Sequence, residues 1–238
     1  MLKSDNQANT PRIILETHIT MKYIAVCTPA RDMVHTMFTY DLVNMVANHT
    51  LNTNDAISLK ISQGTLIANQ RAELCLDAMR EKCTHVLFID SDMRFPHDMI
   101  ERLLQHDLDI VATNCARRRM PTGPTAQIYK ENGERELVYT MPETTGLQEV
   151  GSVGMGVMLI KANVFAALSE PWFETPWRHD KRGYIGEDVF FCKKARDAGF
   201  KIWIDHDVSK EIGHIGMFEF KHDHTWVMRE VQETEKVT

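Results

Sequence analysis

The feature that most constrains this chain is a short apolar run that ends in two acids, Val86-Leu87-Phe88-Ile89-Asp90-Ser91-Asp92. An apolar run of this length is typical of a buried strand and is too short for a free-standing helix. Asp90 and Asp92 stand two positions apart, so on an extended backbone both side chains would face one cation. Carboxylate oxygens suit Mg²⁺ or Mn²⁺, which commonly help to hold substrate phosphates. The alternative is that both acids cap the following turn and helix, a role that Asp favours.

The composition is that of an ordinary soluble globular protein. Of the 238 residues, 43% are hydrophobic and 25% are charged, which fits one large domain or a core with a small lobe. We expect an intracellular, cytoplasmic protein, because no stretch is apolar enough to span a bilayer and Ile13-Ile14-Leu15 is too short for a signal-peptide core. The net charge of −6 argues against bulk nucleic-acid binding through an overall basic surface. The five scattered cysteines indicate neither a disulfide framework nor a zinc site.

Strand-like and helix-like segments alternate over the first half of the chain. The predicted strands are Tyr23–Cys27, Ile57–Ile61, Val86–Ile89 and Asp109–Thr113. The predicted helices lie between them, the second over about 69–82 and the third opening at Pro96. The first helix is predicted to bury Met33, Met37, Tyr40, Val43 and Ala47. This order predicts an α/β fold with a mostly parallel central sheet, helices on both faces, and ligands bound at the carboxyl ends of the strands.

The second half has a mixed pattern, which predicts a small second lobe. A loop of residues 114–125 carries Arg117-Arg118-Arg119, and Asn132-Gly133 is a hairpin signal. A glycine-rich segment, Gly151 to Gly156, leads into a buried strand at Val157–Ile160. The chain is divided into a polar N-terminal extension, one domain and a polar C-terminal tail, over residues 1–20, 21–216 and 217–238.

Four short motifs occur in a particular order, and together they resemble the nucleotide-sugar glycosyltransferases of the GT-A fold, in their inverting family-2-like branch. The motifs are Asp-x-Asp after an apolar strand, the glycine-rich segment before Val157, Gly186-Glu187-Asp188 at a helix start, and Gly213-His214 near the end. The resemblance covers roughly residues 23–216. Val86 to Pro96 is also similar to small glycosyltransferase-like proteins of bacteriophages. The resemblance implies sugar transfer from a nucleotide-sugar donor to an acceptor hydroxyl, and a UDP-sugar is the expected donor.

The resemblance also implies a metal site and a general base. It assigns Asp92 to Mn²⁺ or Mg²⁺ on the donor diphosphate, Asp90 to the ribose or the metal, and His214 to the metal as third ligand. It implies that Asp188 deprotonates the acceptor hydroxyl, and Glu187 is the second candidate for this role. The alternatives are structural, since acids at a helix start stabilise its dipole and a lone His is often a hydrogen-bonded structural residue.

The donor and acceptor contacts follow from the same resemblance. Donor binding is expected at Thr28, Pro29, Arg31, Arg71 and Ser91. Acceptor binding is expected at Gly154, Met155, Gly156, Trp177, Arg117 and Arg118. Arg71 would reach the diphosphate, because a guanidinium matches phosphate oxygens. The alternative for the arginines is a solvated surface charge, although the basic loop could instead bind a diphosphate or an anionic acceptor.

The acceptor class stays open between a saccharide and a hydroxymethylated base in phage DNA. Trp172, Phe173 and Trp177 could form a stacking platform for either, or they could cover the second lobe. A DNA base would have to be unstacked or flipped to be modified, and the acidic net charge weighs against DNA.

Other enzyme classes and a non-enzymatic function compete with this interpretation. A haloacid-dehalogenase-type phosphatase also places Asp-x-Asp after an apolar strand, but here Met93 follows the motif, which sits on the third strand. A nucleotidyltransferase would need a glycine-rich loop with a basic residue after the first strand, unlike Thr28-Pro29-Ala30-Arg31. The non-enzymatic alternative is a catalytically inactive sugar-nucleotide-binding or interaction module of the same fold.

Overall fold

The computed structural model describes residues 21–119, 121–180 and 182–216. The predicted N-terminal extension (1–20) and C-terminal tail (217–238) lie outside the described residues. The strands are β1 (Tyr23–Ala30), β2 (Ala56–Gln63), β3 (His85–Ile89), β4 (Met93–Arg94), β5 (Ile110–Ala112), β6 (Gln127–Tyr129), β7 (Arg135–Leu137), β8 (Leu147–Val150), β9 (Val157–Lys161), β10 (Trp177–Arg178), β11 (Gly183–Tyr184), β12 (Ile202–Asp205) and β13 (Gly213–His214). The helices are α1 (Thr36–Asn52), α2 (Ile67–Arg80), α3 (Met99–Leu104), α4 (Ala162–Ala167), α5 (Glu187–Asp197) and α6 (His206–Ser209).

Seven of these strands form the central sheet, in the order β2-β1-β3-β9-β5-β12-β8. β1 pairs in parallel with β2 and β3, and β12 pairs in parallel with β5. β9 runs antiparallel between β3 and β5, and β8 runs antiparallel at one edge. Five strands therefore run in the same direction, which confirms the predicted mostly parallel sheet. The inserted β9 was predicted as a buried strand, but an apolar run does not encode the direction in which a strand runs.

Apolar layers cover both faces of the sheet, because successive strand residues point to opposite sides. One layer holds Ala25 and Phe88 from the strands together with apolar residues of α2, α4 and α5. The other layer holds Ile24 and Leu87 together with apolar residues of α1 and α3. The predicted helices on both faces are thus confirmed. None of the described helices has both the length and the apolar character needed to cross a membrane.

The buried face of α1 differs from the predicted one. The residues expected inside are on the outside, and Tyr40, for example, is 63% exposed. The buried positions are Phe38, Asp41, Leu42, Met45 and His49. Two polar residues obscure this face in the sequence, and both are paired: Asp41 with Arg94, and His49 with Glu101 at 3.0 Å. The helical periodicity therefore predicts that the more continuously apolar face of α1 is buried, and this prediction is wrong.

Two small pairings position residues of the candidate site. β4 follows the acid motif directly and pairs antiparallel with β13, so that Met93 lies opposite His214. The hairpin of β10 and β11 immediately precedes α5. The hairpin predicted at Asn132-Gly133 is also confirmed, as β6 and β7 flank a turn in which Gly133 has φ +80°.

Candidate active site

The acid motif forms a tight turn at the carboxyl end of β3. The Asp90 N–H donates to the Gly156 carbonyl at 3.0 Å, and the Met93 N–H donates to the Asp90 carbonyl at 3.1 Å. The backbone therefore turns at Ser91 and Asp92 instead of staying extended. The extended backbone on which that expectation depended is therefore absent, and the two carboxylates contact different partners: Asp90 contacts Arg71, and Asp92 contacts Arg118 and His214.

A buried arginine of α2 binds the first acid. The Arg71 Nη2 donates to Asp90 Oδ1 at 2.8 Å, and Arg71 is only 1% exposed. Burial raises the pKa of Asp90 above its usual range, although the charge of Arg71 opposes this shift. The pKa of Arg71 is raised in turn, because the charges of Asp90 and Glu187 outweigh the effect of burial. The pair is thus an ion pair in which the arginine is buried and the Asp90 side chain is 26% exposed.

Arg71 also joins the acid motif to two more segments. Its Nε donates to Glu187 Oε1 at 3.3 Å, and its Nη1 donates to the Met155 carbonyl at 3.4 Å. The guanidinium lies 5.2 Å from the ring centroid of Phe88. The sequence predicted a diphosphate contact for Arg71, whereas the structure directs its guanidinium at protein groups. This side chain connects the turn after β3, the glycine-rich segment and the start of α5.

Asp188, the predicted general base, is the second residue of α5. Its Oδ1 accepts a hydrogen bond from the Val189 N–H at 2.7 Å. Burial and the charge of Glu187 raise the pKa of Asp188 to about 6, against the opposing charge of Arg71. Gly186 permits this placement, because a Cβ there would lie 2.5 Å from Asp188 Oδ1. Asp188 is therefore a carboxylate whose ionisation lies near neutral pH, as proton transfer requires.

The second acid of the motif lies beside His214. The Ile215 N–H donates to the Asp92 carbonyl at 2.8 Å, which fixes the chain after β13 against the acid turn. The His214 Nδ1–H donates to the Ala116 carbonyl at 2.8 Å, so His214 Nε2 is directed at Asp92 Oδ2, 3.4 Å away. In metal-binding histidines, the ring nitrogen that does not bind the metal usually donates its N–H to a carbonyl or carboxylate in this way. The structure thus brings two of the three predicted metal ligands together.

The electrostatics of Asp92 favour its charged form. Burial alone would raise the pKa of Asp92, but the hydrogen bond from His214 and the charge of Arg118 lower it below its usual range. The same hydrogen bond raises the pKa of His214. Arg118 Nη1 bonds to Asp92 Oδ2, the oxygen that also faces His214.

The donor set fits a cation that binds together with phosphate. Among the residues that the structure describes, no group of three His, Cys, Asp or Glu side chains is placed to hold an ion. One carboxylate and one imidazole, from Asp92 and His214, suit Mn²⁺ or Mg²⁺ when substrate phosphates supply further oxygens. The metal contact of Asp90 stays a prediction, and its Oδ1 is already bonded to Arg71.

A cleft of about 790 Å³ opens above the acid turn, within the range of ligand sites. Its lining residues are Arg31, Asp32, Met33, Val34, His35, Ser91, Asp92 and Arg118. A second cavity of about 360 Å³ shares Arg31 and includes Pro29. The structure thus places three predicted donor residues, Arg31, Ser91 and Pro29, at open cavities, whereas Thr28 is buried.

The sequence pattern does not mark residues 32–35 of the cleft as site residues. It predicts a helix there, but α1 begins only at Thr36. His35 is the N-cap residue, and its N–H donates to the Ser91 carbonyl at 3.2 Å, which joins the first loop to the acid turn. Their position in the sequence does indicate a ligand site, since they continue the loop at the carboxyl end of β1.

The glycine-rich segment is tightly packed. A Cβ at Gly156 would lie 3.0 Å from Cys115 Sγ, and one at Gly154 would lie 3.0 Å from Thr125 Cβ. The Met155 side chain is buried in the core. The predicted acceptor contacts of this segment stay predictions, and the burial of the Met155 side chain does not favour one there.

The aromatic residues of the predicted platform separate into two groups. Trp172 and Phe173 are buried and pack against Phe165, so they cover the core. Trp177 is exposed and contacts the exposed Tyr184 edge-to-face, with ring centroids 5.0 Å apart. Because the hairpin that carries them leads into α5, this pair lies close in sequence to Asp188. In the basic loop, the Arg117 N–H donates to the Gly123 carbonyl at 2.8 Å.

Comparisons with known proteins confirm the architecture. A sequence model of the Anp1 family matches residues 36–148, just under half of the chain. A search of curated proteins found no match. The structure is similar to A197 from STIV, with 16% identity and a TM-score of 0.50 over 85% of this chain and 100% of that chain. It is also similar to GalNAc-T7, solved with UDP, GalNAc and Mn²⁺, with 11% identity and a TM-score of 0.55 over 84% of this chain and 44% of that chain. At these identities the likeness shows the fold, which is the predicted GT-A fold.

Proposed function

We propose that this protein is a glycosyltransferase that moves a sugar from a nucleotide-sugar donor to an acceptor hydroxyl. The observation that carries the proposal is the bridge made by Arg71, which binds both Asp90 and Glu187. This bridge brings the acid turn beside the cleft and the start of α5 to one place. A carboxylate with a raised pKa, Asp188, lies at that helix start.

The mechanism is a direct displacement at the anomeric carbon. The acceptor oxygen bonds to this carbon while the bond from the carbon to the diphosphate oxygen breaks, and the acceptor proton passes to Asp188. Attack from the face opposite the leaving group inverts the anomeric centre. Asp92 and His214 would hold Mn²⁺ or Mg²⁺, which when bound neutralises charge on the departing nucleoside diphosphate.

The proposed acceptor is a saccharide. The exposed edge-to-face pair of Trp177 and Tyr184 on the hairpin before α5 supports this choice, since the apolar faces of sugars stack on aromatic rings. The GalNAc-T7 neighbour was solved with UDP, GalNAc and Mn²⁺, which supports UDP-sugars and Mn²⁺ as the first probes.

The proposal predicts metal-dependent release of a nucleoside diphosphate from one donor. We expect slow release from one member of a nucleotide-sugar panel with Mn²⁺ and none with chelator. Asp92→Ala should lower the rate by about 10²-fold or more, because a metal contributes several kcal/mol to charge stabilisation in the transition state. Asp77→Ala, at an exposed aspartate of α2, is the matched control and should keep the wild-type rate.

Donor binding is followed in the same samples by thermal shift. Binding without release, even when saccharide and hydroxymethylated DNA acceptors are added, would favour the inactive binding module. If the protein shows no donor binding and no release of nucleoside diphosphate, the proposed function is contradicted. Transfer only to the DNA acceptor would contradict the saccharide acceptor and leave sugar transfer in place.

A second prediction concerns pH. Because the pKa of Asp188 is raised to about 6, its basic form predominates above that pH and is lost below it. We therefore expect kcat/KM to rise with pH through about 6 and then to level off. The profile is measured on both sides of pH 6 at saturating Mn²⁺. A rise in kcat/KM centred near pH 4, where an ordinary aspartate ionises, would contradict the role of Asp188 as base.

A further inference from the structure

Arg118 occupies the carboxylate oxygen at which a cation shared by Asp92 and His214 would bind. Its Nη1 bonds to Asp92 Oδ2, and the same oxygen lies 3.4 Å from His214 Nε2. A guanidinium and a divalent cation repel each other, so they do not share this oxygen favourably. A cation held between this oxygen and His214 Nε2 would therefore displace Arg118 from Asp92.

The loop that carries Arg118 is anchored at its base. Ala116 and Pro124 form an isolated antiparallel bridge, and the Thr125 N–H donates to the Cys115 carbonyl at 3.0 Å. His214 is bonded to the same loop through the Ala116 carbonyl. The loop is thus attached to the predicted metal ligand itself.

The Arg118 side chain, by contrast, is open to solvent. It is 56% exposed, and its stem passes Gly216, where a Cβ would lie 2.9 Å from Arg118 Cγ. The Asp92 side chain is 24% exposed, but the guanidinium side of the pair lies in solvent, so Arg118 exchanges one anionic partner for another at low cost.

A second partner for this guanidinium would lie in the same cleft. Arg118 lines the cleft together with Arg31, Ser91 and Asp92. A diphosphate bound there would offer oxygens that a guanidinium recognises well, often through two parallel hydrogen bonds.

We propose that Arg118 is an exchangeable ligand, which pairs with Asp92 in the empty site and moves to the donor diphosphate when nucleotide and cation bind together. This inference rests on the proposed function. It makes cation and nucleotide binding cooperative, because each one favours the arrangement in which Arg118 has left Asp92. Its particular consequence is that loss of Arg118 has opposite effects on the two affinities: the cation binds more tightly and the nucleotide binds more weakly.

The test is direct binding of Mn²⁺ and of UDP, with GDP as the second nucleotide, to the full-length protein. Free Mn²⁺ is measured by electron paramagnetic resonance without nucleotide, and nucleotide binding is measured by calorimetry at saturating Mn²⁺. In Arg118→Gln we expect the Kd for Mn²⁺ alone to fall about fivefold and the Kd for the nucleotide to rise about tenfold, within the usual range of coupling between sites. Arg80→Gln removes an exposed arginine of α2 that does not line the cleft, and it should change neither value.

The possible results separate the inference from the proposed function. Wild-type protein that binds neither Mn²⁺ nor a nucleotide would overturn the proposed function itself. Wild-type binding with weaker or unchanged Mn²⁺ affinity in Arg118→Gln would overturn the exchange alone, even if nucleotide affinity falls. Tighter Mn²⁺ binding together with weaker nucleotide binding supports the exchange.

Discussion

Replacement of Asp188 by asparagine is expected to lower kcat by about 10²- to 10⁴-fold, the usual contribution of a general base. Asparagine keeps the shape of the side chain and the acceptor oxygen for the Val189 N–H, but it takes no proton. We expect the Kd of the donor to stay near the wild-type value, because the base acts on the acceptor. The measurement is transfer at saturating donor together with calorimetric donor binding.

Thermal stability distinguishes a catalytic role from a structural one. The pKa of Asp188 is higher in the folded protein than in an unfolded chain, so ionisation of this group destabilises the fold as pH rises from about 4 through 6. Above that pH, Asp188→Asn should therefore raise Tm while activity falls. Asp197→Asn removes an exposed ion pair with Lys193 on the same helix, and it should change neither Tm nor activity. A variant that loses Tm and donor binding in step with activity would contradict the assignment.

Much of the fold is predictable from the sequence because its signals are local. The run before Asp90 is apolar throughout, so it marks a buried strand, and Gly199 at φ +92° marks the end of α5. The face of α1 was not predictable in this way, since Asp41 and His49 are buried only because distant partners pair with them. The acid turn is a similar case, because it is held by the Gly156 carbonyl from another part of the chain.

The candidate site shows the same division between local and distant information. The order of motifs selected Asp92, His214 and Asp188, and the structure places the first two side by side. The bridge from Arg71 to Glu187 spans 116 positions, and no local pattern encodes it. The pattern of α2 does indicate that Arg71 has a buried partner. Arg71 lies on the apolar face of this helix with Leu74, Cys75 and Ala78, and a buried charge is stable only when it is paired.

Replacement of Arg71 by methionine is expected to destabilise the protein by about 3–5 kcal/mol, the usual result of removing one partner from a buried ion pair. Methionine preserves much of the apolar stem but leaves the carboxylates of Asp90 and Glu187 without their cation. The measurement is urea unfolding at neutral pH. Arg80→Met is the matched control on the same helix, because Arg80 is exposed and pairs only with exposed Asp77 in the described structure, so its cost should stay below about 1 kcal/mol.

The double variant Arg71→Met/Glu187→Gln tests the cause of this loss. If the loss arises from unpaired charge, neutralising Glu187 should recover about 1 kcal/mol or more, since the two side chains are in contact and their effects are not additive. An Arg71→Met variant as stable as Arg80→Met would contradict the buried bridge. Equal losses in the single and double variants would show that the unpaired charge of Glu187 does not cause the loss.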